Sequence, residues 1–166
     1  MSLDNIKLPD TILQGLYSKC LYDLESDKSI LSDIRTSGIN FLGNNKKRIV
    51  ILVNSETAIY LPDDDLNFLL GILTACKLSM ADICLINLYK NPDLIYSVLT
   101  QQLKAEKIFL FGLPAASIAL PLQFPHYQVQ QFNNQVYLSS VSLNELQTNK
   151  DEKMKLWACL KNIFSI

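Results

Sequence analysis

At 166 residues the chain is long enough for one domain that buries most of its apolar surface without disulfide or metal staples, and too short for a second full domain. Its 49% hydrophobic and 19% charged content, with only five glycines, excludes disordered, collagen-like and repeat architectures. Fifteen basic against sixteen acidic residues leave a formal charge of −1, which disfavours tight autonomous binding of duplex DNA and leaves only weak or indirect contact with nucleic acid.

Pro9 and Asp10 open a segment whose apolar residues Ile12, Leu13, Leu16, Tyr17, Cys20, Leu21 and Leu24 fall on one stripe of a helix. Residues 27–46 read as mostly irregular, with Gly38, Gly43, Asn44 and Asn45 suited to turns. Ile49 to Val53 is a short β-branched run that predicts a parallel strand buried on both faces. Asp63, Asp64 and Asp65 precede a helix over Leu66 to Lys77, where carboxylates oppose the positive end of the dipole. Consecutive side chains at a helix start diverge, so a metal site is not read from them.

The unit repeats with a strand over Ile83 to Leu88, a helix over Pro92 to Lys104 and a strand over Lys107 to Phe111. Gly112 to Ser117 is a turn leading into a small helix, and Pro121 to Tyr127 is a proline-bounded loop. Gln128 to Phe132 and Gln135 to Leu138 are extended pieces around an Asn133-Asn134 turn. Lys150 to Phe164 is a closing helix with Met154, Trp157, Leu160, Ile163 and Phe164 expected on its packed face. The expected fold is α/β, a three-layer α/β/α sandwich around a central, mostly parallel sheet, with residues 1–45 as an N-terminal helix and irregular segment and 46–166 as the α/β domain.

The four cysteines, Cys20, Cys76, Cys84 and Cys159, stand apart in predicted helices or strands and read as small buried hydrophobes. No metal or other cofactor is expected. Without a signal-peptide pattern or an apolar run near the ~18 residues of a membrane helix, the expectation is a cytoplasmic protein with no membrane partner. His126, the only histidine, lies between Pro125 and Tyr127 and reads as a surface or packing residue. Lys46, Lys47 and Arg48 read as the solvated entry to a buried strand, with phosphate contact as the sharper alternative.

Ligands of open parallel sheets bind outside the carboxyl ends of the strands, so Asn54-Ser55-Glu56, Asn87 to Asn91, Gly112-Leu113-Pro114 and Ser139 to Ser142 are expected to converge on one rim. No glycine-rich loop follows the first strand, which removes nucleotide-cofactor enzymes. The run from Leu70 to Lys90, the Phe111-Gly112 turn, and the passage from Val136-Tyr137-Leu138 through Ser139 to Leu146 into the Trp157 helix resemble uracil-DNA glycosylases. The resemblance aligns Asn87 with the asparagine that reads the edge of a flipped-out base. Two departures weaken the chemistry: Asn54-Ser55-Glu56 stands where the family has a glycine and a water-activating acid, and Ser139, Ser140, Val141 and Ser142 replace its His-Pro pair. Losing one charge-stabilising group costs ~100-fold or more in rate.

Ser140, Leu143, Leu146, Asn149 and Leu156-Trp157, with Arg48 to Asn54 and Leu70 to Asp82, are similar to the psi subunit of the bacterial DNA polymerase III clamp-loader assembly, a glycosylase-like fold without the chemistry. That resemblance implies a non-catalytic adaptor in DNA replication that binds clamp-loader subunits. It makes Asn54, Ser55, Glu56, Asn87, Phe111, Gly112, Ser140 and Ser142 a degenerate pocket. By position in the chain, Leu13, Leu16, Tyr17 and Leu24 are the candidate partner-binding residues. The alternative is a divergent glycosylase that uses Asn87 for base recognition and Glu56 to position water.

Overall fold

The computed structural model describes residues 38–166, so the Ile12 to Leu24 stripe, with Leu13, Leu16, Tyr17 and Leu24, lies outside the described residues. Six strands form one mixed sheet: β1 (Phe41–Leu42), β2 (Ile49–Val53), β3 (Ile83–Asn87), β4 (Lys107–Phe111), β5 (Gln130–Phe132) and β6 (Gln135–Ser140), in the order β1-β3-β2-β4-β6-β5. The neighbours β3, β2, β4 and β6 run parallel, while β1 and β5 pair antiparallel at the two edges. The expected mostly parallel sheet therefore needs correcting at both edges. Asn133 and Asn134, at φ of 51° and 60°, make the two-residue turn that folds β5 back on β6, and such a hairpin is antiparallel by construction. The stretch read as irregular contains β1, too short to show a period of two.

All five residues of β2 are buried, and they alternate between two cores. Val50 and Leu52 face Leu94, Leu99, Leu103, Ile118 and Tyr137, whereas Ile49, Ile51 and Val53 face Leu69, Leu73, Leu146, Leu156 and Leu160. A strand covered on both sides has no polar face, which is why its sequence is an unbroken apolar run. The first core is closed by α2 (Tyr96–Gln101) and a 3-10 turn at Ala115–Ile118, the second by α1 (Asp63–Ala75), α3 (Leu143–Thr148) and α4 (Lys150–Phe164).

Several element bounds differ from expectation for local reasons. α1 starts at Asp63, which puts the three aspartates inside its first turn, where they offset the dipole directly. α2 is shorter than the expected Pro92 to Lys104 helix. Leu94 N–H turns back onto Asn91 (3.2 Å), Ile95 is extended, and Lys104 at φ 49° ends the helix while Ala105 N–H reaches back to Leu99. On α4 the buried pair is Leu156 and Leu160, with Trp157, Ile163 and Phe164 partly buried; Met154 is 56% exposed. Two residues before Leu156 is ~200° around a helix, so Met154 points away from the core.

The crossover from α1 into β3 ends in a 3-10 turn at Met80–Asp82, where the Ser79 N–H (2.8 Å) and hydroxyl (3.0 Å) both donate to Asp82 Oδ2. The Ser79 backbone bond holds the Asp82 carboxyl below its usual range, with Lys47 adding to the effect. A depressed folded-state value contributes stability above the unfolded value and loses it as pH falls through the folded one. Asp82→Ala is therefore expected to lower stability by about 1 kcal/mol at pH 7, and urea melts should converge with wild type below about pH 4. A gap that persists unchanged into acid would assign the loss to packing instead.

Candidate functional site

The carboxyl ends of β2, β3, β4 and β6 form the rim, and Asn87, last residue of β3, is its centre. The side chain is fully buried. Its Oδ1 accepts from Ser55 N–H (3.0 Å) and Tyr89 N–H (3.2 Å). Its Nδ2 donates to the carbonyls of Ser55 (2.7 Å), Ala58 (3.1 Å) and Ile59 (3.3 Å). An amide has two donor hydrogens and two acceptor lone pairs, so these bonds use its whole capacity. Base recognition through Asn87 would require the 55–59 loop to detach. Ser55 is itself buried, and its hydroxyl accepts from Ala58 N–H (3.4 Å). Asn54 and Glu56 are exposed, and what holds Glu56 is its carbonyl, which accepts from Lys90 Nζ (3.3 Å), leaving the carboxylate in solvent.

The neighbouring strand ends are closed in the same way. Phe111 is buried in the core beneath the rim. Gly112, at φ 66°, donates its N–H to Ser140 O (2.9 Å), and a Cβ there would lie 3.0 Å from Ser142 Cβ. The Ser-rich segment expected as a turn is in large part strand: Ser139 and Ser140 pair with Leu110 and Phe111 and are buried. Serine clusters read as loop because their hydroxyls compete for backbone bonds, and here that competition is resolved inward. Ser140 Oγ donates to Val141 O (2.9 Å), while Ser142 caps α3 by accepting from Glu145 N–H (3.3 Å).

The structure also gives His126 a neighbour that sequence distance hid. Its Nδ1 lies 2.9 Å from Ser139 Oγ, and Ser139 Oγ donates to Leu113 O (3.3 Å). The direction of the His126–Ser139 bond follows the tautomer: if the hydroxyl proton goes to Leu113 O, Nδ1 is the donor. The pair thus clasps the 121–127 loop to β6 and leaves Ser139, 3% exposed, turned inward instead of toward solvent. Tyr127, at φ 63°, completes the clasp, donating its N–H to Ser139 O (2.9 Å) and accepting from Cys159 Sγ through its carbonyl (3.2 Å). Its own hydroxyl is buried without a hydrogen-bond partner among the described residues, and burial, with the Glu152 carboxylate nearby, pushes the phenol well above its usual range.

Among the described residues three thiols are free: Cys84 in β3, Cys159 in α4 and Cys76 just past the end of α1. Burial raises all of them, Cys84 up to about 12, so they are protonated at neutral pH and unsuited to nucleophilic work. Among the described residues no group of three or more His, Cys, Asp or Glu side chains is arranged to hold a metal ion. Among them, too, no helix is long and apolar enough to cross a membrane. A cavity of about 360 Å³ adjoins the rim at Lys90 and Asn91 and continues past Pro92, Asp93, Leu94 and Gln102 to Gly38 and Ile39. Its walls come from segments some fifty residues apart, which no local pattern joins. The Asn91 amide in that wall is engaged by Asn40 N–H (3.0 Å) and the Asn87 carbonyl (2.8 Å).

The charge on the rim is one-sided. Among the described residues Glu56, Asp63, Asp64, Asp65, Asp93 and Glu145 lie on the segments that leave these strand ends, outnumbering the cations Lys90 and Lys153, the latter with its Nζ 2.9 Å from Gln147 O. A phosphate backbone approaching from this side would meet net negative charge. No family model matches the chain, and no curated protein is significantly similar to it.

Proposed function

We propose that the protein is a non-catalytic accessory factor of DNA replication, an adaptor resembling the DNA polymerase III psi subunit and built on a uracil-DNA-glycosylase-like three-layer α/β/α domain. The observation that carries the reading is the Asn87 amide, whose donors and acceptors are all taken by the 55–59 loop and Tyr89. A rim whose polar groups bond one another, and whose surroundings are acidic, is better suited to holding a scaffold than to reading a base. In this reading Leu13, Leu16, Tyr17 and Leu24 dock on clamp-loader subunits, with apolar and aromatic side chains supplying the binding energy.

The test is size-exclusion co-migration of the full chain with purified bacterial clamp-loader subunits. A complex is expected with wild type, and Leu16→Ala/Tyr17→Ala should weaken it by about 10-fold or more. If no clamp-loader subunit co-migrates with wild type at micromolar concentration, the adaptor reading in replication fails.

A further inference from the structure

The edge of the sheet opposite the rim carries the reverse charge. Three turns lead into adjacent strands there: 44–48 into β2, 76–82 into β3 and 103–107 into β4. Backbone bonds stitch them together, Lys46 N–H to Ala81 O (3.1 Å), Lys47 N–H to Asp82 O (3.0 Å) and Glu106 N–H to Arg48 O (2.8 Å). They bring Lys46, Lys47, Arg48, Lys77, Lys104 and Lys107 to one edge, and the acidic side chains on these three turns are Asp82 and Glu106. Lys47 pairs with Asp82 (4.0 Å) and Arg48 with Glu106 (2.7 Å). Lys46, Lys77, Lys104 and Lys107 have no carboxylate partner among the described residues; the first three are exposed, and Lys107 Nζ lies 5.9 Å from the Phe164 ring centroid.

We infer that this amino-end edge of the sheet binds the phosphate backbone of a nucleic acid, without reading its sequence. Neighbouring strands are ~4.8 Å apart, so cations on three successive turns form a row ~10 Å long, the scale of consecutive phosphates on one strand. The unpaired cations are all lysines, point charges that suit phosphate oxygens without demanding a fixed fork geometry. Arg48, the arginine on these turns and so the residue able to grip a partner's carboxylate bidentately, is already held by Glu106. Among the described residues none of the exposed large apolar side chains lies on these three turns: Ile59 and Tyr89, the first 70% exposed, belong to the opposite rim, and Ile166 follows the helix end whose Phe164 neighbours Lys107, so the turns themselves offer a protein partner no apolar anchor. The three turns carry no aromatic side chain for base stacking, which directs the contact to the backbone. Among the described residues the charge is therefore distributed acidic at one end of the strands and basic at the other.

The test is fluorescence anisotropy of the full chain with a labelled mixed-sequence 20-nucleotide single strand at 50 and 200 mM KCl. Four lysine–phosphate contacts predict that affinity falls about 50-fold over this range, and that it does not change when the base sequence is permuted. Lys46→Gln/Lys104→Gln should bind more weakly at 50 mM and reduce the salt effect to about 7-fold, while Lys90→Gln on the acidic rim should match wild type. All these positions are exposed, and circular dichroism checks that the variants fold. No binding at 50 mM, an unchanged salt effect in the double variant, or equal binding of poly-glutamate of the same charge would overturn the inference, the last assigning the edge to an acidic protein segment.

Discussion

Asn87→Ala is expected to destabilise the protein by about 3 kcal/mol, seen in urea as a midpoint lowered by about 2 M at unchanged slope. The substitution removes one amide but orphans several buried backbone groups: the N–H of Ser55 and Tyr89 and the carbonyls of Ser55, Ala58 and Ile59. Each polar group left buried without a partner costs about 1–3 kcal/mol, and the 55–59 loop can recover part of that by opening to water. Proteolysis within 54–60 should accordingly rise in the variant before global unfolding does. A loss below about 1 kcal/mol would mean the amide is not the clasp the geometry describes. The same variant separates the two functional readings. Uracil release by wild type would favour a glycosylase over an adaptor, and its loss in a still-folded Asn87→Ala would tie that activity to this rim, where Asn87 also holds the loop that carries Glu56.

Gly43→Ala is expected to be at least as damaging, about 3–4 kcal/mol, and a comparison of three glycines isolates why. Gly43 has φ of 107°, and a Cβ there would overlap the Ile83 carbonyl oxygen and lie 2.6 Å from Met80 O. Both obstacles are backbone of the turn entering β3, which cannot rotate aside as a side chain would. Gly38 has nearly the same φ, 106°, with nothing among the described residues within 4 Å, so Gly38→Ala should show the conformational strain alone, about 1–2 kcal/mol. Gly71 lies within α1, exposed and unobstructed, and Gly71→Ala should stabilise by about 0.5–1 kcal/mol. Thermal or urea melts of the three variants check the order. Equal losses at Gly43 and Gly38 would show that the turn shifts to accommodate a methyl group and that β1 is not fixed by this contact.

Elements with a single dominant burial demand were legible in the sequence. β2, β4 and α4 lie at the bounds their patterns predict, because an apolar run between polar turns, or a 3.6-residue stripe between Asn149 and Ser165, has one low-energy reading. The Asn133-Asn134 hairpin was legible for the same reason, since few residues other than glycine accept two consecutive left-handed positions. The convergence of Asn54-Ser55-Glu56, Asn87, Gly112 and the serines on one rim was also foreseeable, since parallel strands end on the same side. β1 was not, since two residues carry no periodicity and their pairing partner lies more than forty positions away. Nor was the division of Ser139 to Ser142 between strand and helix cap, because a serine hydroxyl suits a turn and a buried carbonyl equally well until its neighbours are known.

What the sequence determined by itself is therefore the α/β alternation, the buried central strands and the identity of the polar residues at their ends, all consequences of local spacing and side-chain chemistry. Only the tertiary structure decided what those polar residues do. Asn87 is engaged by a loop about thirty residues earlier, His126 by a serine thirteen residues later, and the lysines of three separate turns share one edge. The physical reason is that a hydrogen bond or a charge cluster is a property of distances between atoms, and sheet topology, not chain order, sets those distances.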